Sequence, residues 1–96
     1  MQINEDKLKQ PSRVLLVDDN LAVLDMLYHL LNQEGYQCLA AKDVNEAEQI
    51  LNHSSIDLVI SDIVMPGKEN GLDLAEKVTQ NQDSEIILMT GYMDEF

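Results

Sequence analysis

The feature that most constrains this chain is its alternation of short apolar runs with helical repeats. Arg13-Val14-Leu15-Leu16-Val17 is rich in branched apolar residues and ends in acid. Such a run reads as a strand buried on both faces, as in a parallel sheet. Leu24, Leu27, Tyr28 and Leu31 then fall at helical spacing, and Gly35 supplies a stop. Tyr36 to Ala40 reads as a weaker second strand. Asp43 and Glu46 form a capping box for a helix whose apolar face is Ala47, Ile50 and Leu51. Asp57-Leu58-Val59-Ile60-Ser61 is the third strand, followed by the loop Asp62-Ile63-Val64-Met65-Pro66-Gly67. Asn70 or Gly71 opens a third helix with Leu74, Ala75 and Val78 inward, and Glu85 to Met89 is the fourth strand. Strands separated by helices predict an α/β fold, a doubly wound parallel sheet.

The chain has 96 residues, the size of one domain with a small core. The polar stretch 1–12 reads as a flexible arm and 13–96 as the folded domain. The arm lacks the apolar core of a signal peptide, and no apolar run has membrane-spanning length. The expected location is therefore cytoplasmic. The lone Cys38 sits among apolar neighbours and reads as a packing residue rather than a reactive thiol. The net charge of −12 repels phosphate backbones, which argues against direct nucleic-acid binding and favours cations or a basic partner.

In an open parallel sheet, ligands bind at the carboxyl ends of the strands. Asp18 and Asp19 follow the first strand, Asp62 the third and Thr90 the fourth. Carboxylates gathered in one pocket repel, so a pKa must rise unless a cation is present. Mg²⁺, a hard ion that keeps several waters, resolves the conflict. Asp62 is then a candidate carboxylate nucleophile toward a phosphoryl group. Each residue also has a plainer reading. Asp18-Asp19-Asn20 could cap a helix, Asp62 could form a turn, and Thr90 could be structural. His29 and His53 read as surface residues.

Taken together, Asp18-Asp19 after one strand, Asp62 with Met65-Pro66 after another and Thr90-Gly91 after a third resemble the response-regulator receiver family. The resemblance covers about Val14 to Asp94. It implies a flavodoxin-like sheet in the order 2-1-3-4-5. It implies that Asp62 is phosphorylated, taking its phosphoryl group from a histidine kinase or phosphotransfer protein. It implies Mg²⁺ held by Asp18, Asp19, Asp62 and the Val64 carbonyl, and Thr90 as the switch residue. It implies a signalling domain that catalyses only its own phosphotransfer and is otherwise not an enzyme.

Two features depart from the family pattern. Gly71 lies one residue further from Asp62 than in the commonest spacing. Family members also continue through a fifth strand and helix, and the fifth strand carries a lysine that pairs with the phosphoryl group. No residue here takes that place, since Lys68 and Lys77 fall on other elements. The domain thus reads as lacking its last strand and helix, with an exposed fourth strand prone to self-association. The alternative reading is a receiver-like fragment that binds metal but cannot switch. A phosphohydrolase is disfavoured, because such enzymes place a second aspartate where Val64 stands.

Overall fold

A computed structural model describes residues 12–65, 67, 69–81 and 84–89. The elements are β1 (Arg13–Val17), α1 (Leu21–Gln33), β2 (Gln37–Ala41), α2 (Val44–His53), β3 (Leu58–Asp62), α3 (Gly71–Asn81) and β4 (Glu85–Met89). The strands form one parallel sheet in the order β2-β1-β3-β4. This is the expected α/β fold with the family's order. The expected arm lies almost wholly outside the described residues, as do Pro66, Lys68 and Thr90.

The strand period of two divides the core. Leu15, Val17 and Val59 point to one face, where Val44, Ala47 and Leu51 of α2 and Leu74 and Val78 of α3 meet them. Val14, Leu16 and Cys38 point to the other, against Leu24, Leu27 and Leu31 of α1. Helices therefore cover both faces. β1 is central, and Val14 to Val17 are all buried, as its unbroken apolar run requires. Leu74 is wholly buried. Truncating such a leucine to alanine costs about 2–5 kcal/mol.

Local signals account for the helix ends. Gly35 has φ 97°, and the amides of Gly35 and Tyr36 donate to the carbonyls of Asn32 and Leu31 at 3.1 Å. This pair of bonds is a Schellman stop, which only a residue tolerant of positive φ accommodates well. It also corrects the second strand. Tyr36 belongs to the helix stop, so β2 starts one residue later than its sequence suggested. Tyr28, expected inward, is exposed and stands edge-on to His29. The wide face of α1 is set by Leu24, Leu27 and Leu31, and Tyr28 lies at its margin. The Asp43 carboxylate accepts from the Glu46 amide at 2.8 Å, and Glu46 reaches back to the Lys42 amide at 2.9 Å. The third helix is capped by Asn70, whose side chain accepts from Leu72 and Asp73.

Candidate functional site

The strand register brings the acidic residues together. Val17 on β1 lies opposite Ser61 on β3. The next residue on each strand is an aspartate, so Asp18 and Asp62 arrive side by side at the carboxyl edge of the sheet. The Asp18 amide extends the ladder by donating to the Ala41 carbonyl at 3.1 Å. Asp18, Asp19 and Asp62 each offer a carboxylate oxygen, and these oxygens lie within 4.8 Å of one another. Asp18 is buried, Asp62 half-buried and Asp19 exposed.

Electrostatics follow from this placement. Burial pushes the Asp18 carboxyl above its ordinary value, and the charges of Asp62 and Asp19 and a hydrogen bond with Asp19 push the same way. The Asn20 amide, donating to Asp18 Oδ1 at 2.8 Å, opposes them in part. The described basic side chains are engaged elsewhere. Arg13 stands at the opposite end of β1, Lys42 is 3.9 Å from Glu46, and Lys77 pairs with Glu48 and Glu69. Clustered oxygen donors with no cationic side chain beside them among the described residues are the kind of set a hard divalent ion takes.

Capping of α1 is done by Asn20, whose Oδ1 accepts from the amides of Ala22 and Val23 at 3.0 and 3.2 Å. The Asp18 and Asp19 side chains therefore do not cap α1, although Asp18 Oδ1 accepts from the Asn20 amide. Asp62 does shape its loop, since its Oδ1 accepts from the Val64 amide at 3.3 Å. Turn former and site residue are compatible roles there.

The loop after β3 is tied down on several sides. The Ile63 amide donates to the Met89 carbonyl at 2.9 Å, linking the loop to the end of β4. The Gly71 amide donates to the Ile63 carbonyl at 2.9 Å. Met65 is buried in the core, while Val64 is exposed. Thr90 directly follows Met89 in sequence and, like Pro66, lies outside the described residues.

Residues 14–96 match the response regulator receiver domain. The chain belongs to that family. It is 35% identical over 79 residues to the transcriptional regulatory protein CpxR of Escherichia coli (strain K12), covering 82% of this chain and 33% of that one. It is 38% identical over 82 residues to the aerobic respiration control protein ArcA of the same strain, covering 85% and 34%. The receiver chain thus spans about a third of the length of these relatives. Among solved structures it is similar to the response regulator TrrA of Thermotoga maritima, crystallised in complex with Mg²⁺ and BeF. That match has a TM-score of 0.78 at 37% identity and covers 86% of this chain and 72% of that one. A signal receiver domain of an HD domain-containing protein from Pseudomonas fluorescens Pf-5 matches with a TM-score of 0.81 at 32% identity, covering 85% and 66%.

Three residues of this receiver domain's site were not singled out for it by sequence. The sequence offers Asp18, Asp19 and Asn20 together as helix caps, and only the structure assigns the cap to Asn20. Ser61 is fully buried and donates its hydroxyl to the Asp62 carbonyl at 2.9 Å. The sequence marks Gly71 by its spacing from Asp62 and as a possible helix opener, and its packing against Asp62 needs three dimensions to be seen.

Proposed function

We propose that this receiver domain is a phosphoacceptor switch in a two-component system. Asp62 takes a phosphoryl group from a phosphohistidine on a histidine kinase or phosphotransfer protein. The observation that carries this reading is the convergence of Asp18, Asp19 and Asp62 at the carboxyl edge of the sheet. Asp62 lies at the end of its strand and half-buried, so its carboxylate has an open side.

In the proposed step, an Asp62 carboxylate oxygen bonds to phosphorus as the donor's P–N bond breaks. The departing imidazole nitrogen keeps the electron pair and takes up a proton. Asp18, Asp19 and Asp62, with the Val64 carbonyl, would hold Mg²⁺. When bound, the ion supplies positive charge that offsets the phosphoryl oxygens. The Mg²⁺ and BeF complex of TrrA supports this choice of ion. The Thr90 hydroxyl, next in sequence to the Met89 carbonyl that ties the loop, is the proposed reporter of the new phosphoryl oxygens. The chain turns over no second molecule in this reading and is not an enzyme in that sense. Net charge and the lack of a membrane-spanning helix among the described residues are consistent with a cytoplasmic protein partner rather than nucleic acid or lipid.

Mass spectrometry after treatment with acetyl phosphate and Mg²⁺ tests the reading. The parent is expected to gain one phosphoryl group and Asp62→Asn none. Full labelling of Asp62→Asn would sink the assignment. A parent that binds Mg²⁺ but takes no label would favour the alternative, a metal-binding fragment that cannot switch.

A further inference from the structure

We propose that Gly71 is a positioning residue for Asp62, and that the absence of a side chain at 71 sets the geometry of the metal and phosphoacceptor site. This inference rests on the reading of Asp62 given above. Gly71 is buried and is the first residue of α3. A Cβ placed there would fall well inside van der Waals contact of the Asp62 carbonyl oxygen. It would also lie 2.9 Å from Ile63 Cα and 3.0 Å from the Asp62 carbonyl carbon. All three obstacles are backbone atoms, so no side-chain rotation relieves the clash. Either α3 lifts or the backbone of Asp62 and Ile63 moves.

Several bonds decide which of these gives. The first turn of α3 is held by Asn70 and Asp73, whose side chains bond each other's amides at 3.2 and 2.8 Å. One turn further on, Leu74 is wholly buried in the main core, as is Val78. Lifting the helix would open that core. The Asp62–Ile63 peptide is held by hydrogen bonds that can lengthen without opening the core: the Ile63 amide on Met89, the Ile63 carbonyl on the Gly71 amide, the Ser61 hydroxyl on the Asp62 carbonyl and the Val64 amide on Asp62 Oδ1. The displacement therefore falls on Asp62. Its carboxylate moves relative to Asp18 and Asp19, which are fixed from β1 and do not follow. Gly71 thus acts through its lack of bulk rather than through freedom of φ.

The test is Mg²⁺ affinity, measured calorimetrically with the metal alone, in the parent, Gly71→Ala and Val78→Ala. Supporting groups of a metal site typically change affinity by roughly ten- to a hundredfold when altered, and a loss of that size is expected for Gly71→Ala. Val78→Ala opens a cavity under the same helix, so it should lower the melting temperature while keeping affinity within about twofold of the parent, as a site-remote core change does when effects at separate sites are independent. Parent-like affinity in folded Gly71→Ala would overturn the inference while leaving the phosphoacceptor reading intact. Failure of the parent to bind Mg²⁺ would overturn both. Should Gly71→Ala not fold, the parent alone still decides. Its Ile63 and Gly71 amide resonances are expected to shift with Mg²⁺ at the same midpoint as that of Asp19, and fixed amides would refute the coupling.

Discussion

Asp18 follows β1 and Asp62 ends the neighbouring parallel strand β3, and each offers a carboxylate oxygen within 4.8 Å of the other. Their proximity costs the metal-free domain stability, because burial and like charge both disfavour the Asp18 anion. Asp18→Asn is therefore expected to stabilise the metal-free domain at neutral pH, because the amide carries no charge to bury or to repel. The same variant should lose stabilisation by Mg²⁺. Thermal melts with and without Mg²⁺ check both. A variant less stable than the parent without metal would contradict this account.

The sign of the pH effect follows. The Asp18 carboxyl binds its proton more tightly folded than unfolded, since burial and its like-charged neighbours raise its pKa above the ordinary value. Its contribution favours folding below that value and fades as pH rises through the folded pKa. Without divalent ions, the stability difference between parent and Asp18→Asn should be smallest below the ordinary carboxylate pKa and grow as pH rises toward neutrality. Paired denaturant titrations across that range measure it.

Asp19 is the exposed member of the cluster, so its removal disturbs little packing. Asp19→Ala is expected to melt near the parent temperature without metal, yet to weaken Mg²⁺ binding by at least about tenfold, or 1.4 kcal/mol. Calorimetric titration decides this, and undiminished affinity would remove Asp19 from the site.

The sequence showed the fold more fully than the site. The unbroken apolar run at 14–17 announces a strand covered on both faces, the run at 58–60 a strand covered fully on one face and partly on the other, and Gly35 and Asp43 punctuate the helices through backbone chemistry that is local. The pairing of Asp18 with Asp62 was legible because both follow strands in a parallel sheet. Gly71 against Asp62 was not, because close approach between residues nine apart depends on how α3 settles on Leu74 and Val78. Tyr28 was misplaced for a similar reason. Helical spacing marks a face but not its margin.

Lys77 ties α3 to Glu48 on α2 and to Glu69, 2.5 Å away on the loop before α3. These groups are each partly exposed. Screening should therefore erase most of their effect. Lys77→Met is expected to lower the melting temperature at low salt and to match the parent near 1 M salt. A loss that persists at high salt would point to packing by the lysine stem instead.

Among the described residues, β4 pairs with β3 alone. Ile87 on β4 is about half exposed, at 52%, and it lies opposite Ile60, which is only partly covered. On this face α1 packs over β1 and β2, leaving the β3–β4 side thinly covered. An apolar edge with free backbone groups is a template for a further strand. The net charge of −12 keeps copies apart, and salt weakens that repulsion. Solutions of this 96-residue chain are therefore expected to associate with rising concentration, and more so at moderate than at low salt. Ile87→Lys adds a charge to the edge without touching the carboxylate cluster, and it should shift the chain toward monomer while leaving Mg²⁺ affinity unchanged. Sedimentation over a concentration series at two salt levels makes the measurement. A compact monomer throughout, in parent and variant alike, would mean that the β3–β4 face and its edge are covered within one chain.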